Sequence, residues 1–236
     1  MNSSYNSFQA RIDKRFSRGF TLLGSYTWSR WIDDSSWYQS NGQWVDPRNI
    51  RLDRGLGDQD RRQMLVLSGI WQLPFFAKAK GVRGQVLGGW SLNSIATFYA
   101  GQPLLVTSGT DRDYDGLTND RPNVVGEWRL SPNRSRPQIL QQWFNTGAFQ
   151  ANGLGQLGNL GRNVVIGPGS KNIDLEIHKA FRLAEHKELQ VRADAFNTFN
   201  FVNAGAPTLT LNSPNFGKIL SAGSPRIFQL ALKFAF

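Results

Sequence analysis

The chain has 236 residues, aromatics at 12%, charged residues at 19% and a formal charge of +10, enough for one or two domains with a sizeable core. It contains no cysteine, which excludes a disulfide framework, a thiolate metal site and a cysteine nucleophile. The basic residues form no single-sign stripe, so no nucleic-acid partner is expected, and no apolar run approaches the ~20 residues of a membrane helix.

In chain order, period-two alternation predicts a series of long strands. Over 4–16, Phe8, Ala10 and Ile12 alternate with Gln9, Arg11 and Asp13. After the short turn 17–19, the block 19–30 sets Phe20, Leu22, Gly24, Tyr26 and Trp28 opposite Thr21, Ser25, Thr27 and Ser29. A long loop, 30–60, follows. It carries four aromatic candidates for ligand contact, Trp31, Trp37, Tyr38 and Trp44, which equally suit loop packing or an aromatic girdle. It also carries "DPRNIRLDRGLGDQDRR", where Arg48, Arg51 and Arg54 either meet lipid phosphates or pair with the interleaved aspartates.

The third block, 61–73, sets Leu65, Leu67, Gly69 and Trp71 against a mixed face. "LPFFAKAKG" breaks the pattern, leaving 74–83 as a short connection, and a fourth strand is predicted over 84–100. The longest loop, 101–171, holds "QILQQWF", which suits at most a helical turn. Strands are then predicted at 172–183 and 188–199, joined by a short turn, and a last one at 226–236 after the loop 200–224. In that last strand Phe228, Leu230, Leu232, Phe234 and Phe236 line one face, while Gln229 and Lys233 lie on the other.

These strands exceed the usual ~5–6 residues of globular proteins and match the length of tilted strands that cross a bilayer. Short turns alternate with long loops, the pattern of outer-membrane barrels. The fold expected is all-β: an antiparallel transmembrane β-barrel segment of about seven or eight long strands, with short periplasmic turns and long extracellular loops. The charges Asp174, Glu176, Arg192 and Asp194 then face a wet lumen and pair across strands, as wall rather than catalytic groups. Counting back from a periplasmic Phe236 puts residue 1 outside. That odd parity, with no signal-peptide pattern in "MNSSYNSFQARID", predicts the C-terminal piece of a longer protein.

"DQDRRQMLVLSGIWQLPF" (58–75), "WFNTGAFQ" (143–150), "GNLGRNVVIGPGSKNIDLEIHKAF" (158–181) and "LQVRADAFNTFNFVN" (189–203) resemble the last part of TonB-dependent outer-membrane receptors, nearest the Oar-like kind. The resemblance implies a barrel of about 22 strands around an N-terminal plug and energised uptake of a bulky ligand such as a siderophore, glycan or peptide. It implies outer-membrane lipid and lipopolysaccharide as surroundings. It also implies recognition of Phe228, Leu230, Leu232, Phe234 and Phe236 by the barrel-assembly machinery. TonB would be met only through an N-terminal part, since plug and TonB box are absent from these residues.

"DRDYDGLTND" resembles a calcium loop, with Asp111, Asp113, Asp115, Asn119 and Asp120 supplying oxygens around Gly116. Pro122 stands where a bidentate Glu belongs, and the other reading is an Asp/Gly-rich turn. "GLGQLG" matches a dinucleotide fingerprint only in letters, lacking a βαβ setting. His178 and His186 show no metal-ligand spacing, and no nucleophile motif occurs, so no enzyme is expected. Two other readings stay open: a small stand-alone barrel acting as adhesin or structural protein, and a soluble carbohydrate-binding β-sandwich with the Phe228–Phe236 face packed on a second sheet.

Overall fold

The computed structural model describes residues 2–36, 44–76 and 79–236. Strands numbered in chain order are β1 (Ser3–Ser17), β2 (Phe20–Asp33), β3 (Gly55–Leu56), β4 (Gln63–Gln72), β5 (Ser91–Tyr99) and β6 (Pro103–Leu104). They continue with β7 (Asn123–Val124), β8 (Phe149–Gln150), β9 (Val165–Ile166), β10 (Ser170–Ala184), β11 (Lys187–Phe196) and β12 (Ile227–Ala235). The seven long ones pair antiparallel in the order β1-β2-β4-β5-β10-β11-β12, with β3 added at the end of β2. β1 and β12 are the two edges, so the sheet is open. The loop between β5 and β10 contributes only two-residue ladders, β6 with β9 and β7 with β8. Among the described residues no eighth long strand joins the sheet.

Two of the connections at one end are tight because the sequence allows it. Arg18 and Gly19 both have positive φ (53° and 78°), the combination a two-residue hairpin turn needs to match strand twist. The connection from β4 to β5 is longer than the predicted 74–83, because residues 84–87 are not strand. Gly81–Leu87 is a short helix and β5 begins at Ser91. The reason is local. A Cβ at Gly84 would sit 1.9 Å from the Ala79 carbonyl and one at Gly88 2.7 Å from that of Phe76, so glycine lets the chain fold back here. The Lys179 ammonium donates to the carbonyls of Gln85, Val86 and Gly88, pinning the helix end to β10.

Register fixes the two faces. Phe20, Trp71, Leu92, Ile177, Ala193 and Leu230 stand side by side across six strands. On the other face Thr21, Ile70, Asn93, Glu176, Asp194 and Gln229 do the same. Because the side-chain period is two, this pairing sends the apolar set of every strand outward together. On β2, Trp28 lies eight positions from Phe20, about 27 Å of strand, or roughly 20 Å along the normal at a ~40° tilt.

The outward face stays bare: Leu230 is 82% exposed and Leu232 74%. No second sheet covers it among the described residues, which corrects the β-sandwich alternative. The buried apolar core lies instead in the long loops, around Val106, Phe144, Ala148, Phe149, Leu160 and Val165.

Leu230→Arg places a cation mid-strand on the apolar face and is expected to cost about 2–4 kcal/mol. Gln229→Arg, one residue away and opposite Asp194 on the polar face, should cost less than about 1 kcal/mol. Urea titration of the chain refolded in detergent micelles measures both.

Candidate functional site

The three long loops emerge from the same end of the sheet and pack into one cap. Its centre is a phenylalanine triad: Phe144 lies 5.2 Å from Phe149 and 5.1 Å from Phe216, and Phe149 lies 5.6 Å from Phe216, all edge to face. Phe216 comes from the 200–224 loop and the other two from the 101–171 loop. Backbone bonds stitch the two together, Thr107 N to Leu209 O (3.1 Å), Trp143 N to Gly217 O (2.8 Å) and Ile219 N to Leu140 O (2.8 Å). The helix Arg136–Gln141, capped by Ser135 and Gln138, supplies the last of these carbonyls.

The loop after β2 joins the cap through buried charge. Arg162 forms an ion pair with Asp33 and also donates to the Asp33 carbonyl (3.0 Å). Arg121 Nη2 lies 3.7 Å from Asp53 Oδ1, and its Nη1 donates to Leu52 O at 3.0 Å. All four side chains are at most 6% exposed. Asn163 adds bonds to Leu56 O (2.7 Å) and Asp58 Oδ1 (2.8 Å). Gly55 is required at this seam, since a Cβ there would sit 2.6 Å from the Arg162 carbonyl. Burial raises the Asp53 carboxyl above its ordinary value despite the opposing pull of Arg121, and burial lowers the Arg121 guanidinium. A raised folded pKa gives stability that is present below the ordinary carboxylate value and lost as pH rises through the folded one. At neutral pH desolvation therefore offsets much of this pair's attraction.

The acidic stretch 111–120 lies on the same cap. Carboxylate oxygens of Asp111, Asp113, Asp115 and Asp120 fall within 4.8 Å of one another. Charges at that spacing repel by roughly 1 kcal/mol in water and more near a protein surface. Burial first, then Asp120, raises the Asp113 carboxyl. Gly116 makes the turn with φ 86°. The stretch has no flanking helices, and the "GLGQLG" turn packs against it through Gly155 N to Arg112 O (2.7 Å). No helix follows that turn, as its setting predicts.

The remaining candidates fall in three places. Trp31, on β2, donates Nε1 to Ser3 Oγ of β1 (2.8 Å) with its ring against Gly57, and Trp44 donates Nε1 to Asp34 O (3.0 Å). Trp37 and Tyr38 lie outside the described residues. Asp174, Glu176, Arg192 and Asp194 line one groove on the polar face with Asn93 and Phe196. Their pairing runs along strands instead of across them: Arg192 Nε to Asp194 Oδ2 is 3.2 Å, and His178 Nδ1 to Glu176 Oε1 is 2.8 Å. Register explains this, because Glu176 faces Asp194 and His178 faces Arg192. Phe228, Leu230, Leu232 and Phe234 share the outward face of β12, and Phe236 stacks on Phe234 at 5.9 Å. Arg48, Arg51 and Arg54 remain exposed, while the neighbouring Asp53 turns inward to Arg121. The two buried Arg–Asp pairs were not among the predicted sites; Gly55 and Gly158, each pressed against an arginine carbonyl, were their only local trace.

A continuous antiparallel sheet of long strands, apolar outward and polar inward, with its long loops at one end, is the wall of a transmembrane β-barrel. The chain belongs to the outer membrane beta barrel domain family, which it matches over residues 1–229. Its place is the bacterial outer membrane. No curated protein matches it.

Arg121→Met and Asp53→Leu should each cost the cap about 3–5 kcal/mol, because each leaves a buried charge alone. The double replacement should recover to within about 1 kcal/mol of the parent. Thermal unfolding of the cap followed by near-UV circular dichroism closes the cycle.

Proposed function

We propose that the chain is the C-terminal barrel portion of a TonB-dependent receptor of the Oar-like kind, whose whole imports a bulky ligand using energy delivered through TonB. The observation that carries this reading is the open sheet. Among the described residues, seven long strands with two unpaired edges leave rows of N–H and C=O groups that hydrocarbon cannot satisfy, so further strands of the same protein would complete the ring. Seven is also odd, whereas single-chain bacterial barrels have an even count. A cap built from three long loops suits a receptor that meets a large ligand at the cell surface before it enters. The polar groove with Asn93, Asp174, Glu176 and Arg192 would line the path inward.

In this reading the protein does no chemistry. Its wall excludes lipid, its cap selects, and a plug supplied by the N-terminal part blocks and then releases the path. The outward Phe228, Leu230, Leu232, Phe234 and Phe236 would meet the assembly machinery as well as lipid, and lipopolysaccharide would surround the outer rim. The transported ligand is expected to be a siderophore, glycan or peptide.

The reading frame upstream of Met1 tests the proposal. An in-frame plug and TonB box is expected, with cysteine cross-linking of that box to TonB in cells. A stop codon preceded by no such segment, together with heat-modifiable gel mobility of the refolded chain, would overturn it in favour of a small stand-alone barrel.

A further inference from the structure

We propose that the loop Asp111–Asp120 is a calcium site that stiffens the extracellular cap. The cluster brings four carboxylates within 4.8 Å, and none of them has an ion-pair partner among the described residues. The two arginines next to the cluster in sequence are committed elsewhere. Arg112 Nε donates to the Asn152 carbonyl, and Arg121 turns to Asp53. Four carboxylates are thus gathered on the cap with no ion pair to any of them among the described residues.

Two buried oxygens in this loop have no protein partner. Asp120 is 2% exposed; its Oδ2 accepts from Arg112 N (2.7 Å), Asp113 N (3.0 Å) and Asn152 Nδ2 (3.3 Å), while its Oδ1 is buried with no hydrogen-bond partner. Asn119 Oδ1 is likewise buried and unpartnered. A carboxylate oxygen in that position is costly unless something positive meets it. The remaining members are oriented by their own loop: Asp111 accepts from Tyr114 N and Gly116 N, Asp113 from Asp115 N, and Asp115 from Leu117 N. Each keeps further lone pairs for a cation.

The donor set selects the metal. All donors are oxygens, and no histidine or cysteine lies in the loop, which favours a hard cation over zinc or copper. Several carboxylates plus an amide oxygen on an adaptable Asp/Gly loop suit the irregular, high coordination of Ca²⁺ better than the strict octahedron of Mg²⁺. Asp120, which closes the loop, takes over the place that Pro122 cannot fill. Its carbonyl accepts from Ser108 N at 2.7 Å, and the next residue is Arg121, paired with Asp53. A cation held by Asp120 therefore fixes the backbone that carries Arg121.

Calorimetric titration of Ca²⁺ into the full chain in detergent micelles should give a Kd on the order of 10⁻⁴–10⁻³ M, the range of extracellular calcium modules. Calcium should also slow trypsin cleavage after Arg112, and Mg²⁺ should do so less. Asp113→Asn at a half-buried position and Asp115→Asn at an exposed one both leave the buried Asp120 in place. Each should weaken binding about tenfold, since affinity follows ligand charge, whereas Glu127→Gln, an exposed acid outside the cluster, should not. Absence of calcium heat and of protection at millimolar calcium, or unchanged affinity in both Asp variants, would overturn the proposal.

Discussion

Hydrocarbon offers nothing to a backbone N–H or C=O, and the molecule is organised around that constraint. Every long strand except the two edge strands gives both of its sides to neighbours, which is why strands of nine to fifteen residues lie in one uninterrupted ladder. Once that ladder exists, side-chain period two divides the residues into a lipid set and a lumen set without further instruction. The same constraint keeps irregular backbone out of the wall. The irregular chain collects at the ends, tight at one and voluminous at the other.

The outer end solves a different problem. Three loops with many polar backbone groups have to be ordered without a sheet to help them. They do it as a small globular protein would, with an aromatic core of Phe144, Phe149 and Phe216 and with buried guanidinium groups that take carbonyls from neighbouring loops. The Arg121–Asp53 pair shows the balance involved. Desolvation weighs against it strongly enough to move both groups from their ordinary values, so its role is to specify which loops meet more than to stabilise their meeting.

Much of the wall was legible in the sequence because alternation is a local signal. Ile173, Leu175 and Ile177 against Asp174 and Glu176 announce a two-faced strand with no knowledge of its neighbours. Where alternation was accidental the reading failed: Gly84 to Gly89 continues the rhythm on paper, but glycines carry no side chain to present, and the chain coils. The cap was opaque for a physical reason. Arg162 and Asp33 lie 129 positions apart, and nothing near either one distinguishes it from an exposed charge. The expected cross-strand charge pairing failed because Glu176 faces Asp194 and Arg192 faces His178, a register that periodicity cannot supply. The acidic loop was visible because its oxygens are close in sequence as well as in space, although the buried Oδ1 of Asp120 was not.

The Arg162–Asp33 contact ties the last residue of β2 to a loop that ends just before β10, across the intervening β4 and β5. Shifting any one of these strands by a single position would turn its inward residues outward, and it would carry Asp33 away from the guanidinium waiting for it. Closing so long a chain segment adds little entropy beyond that of a shorter one, since the cost grows only with the logarithm of length. The pair can therefore form late, after the strands are laid side by side, and it forms well only over a correctly threaded wall. In that sense the clasp is a gauge: a single buried bond at the surface that reports whether the four strands beneath it are in step.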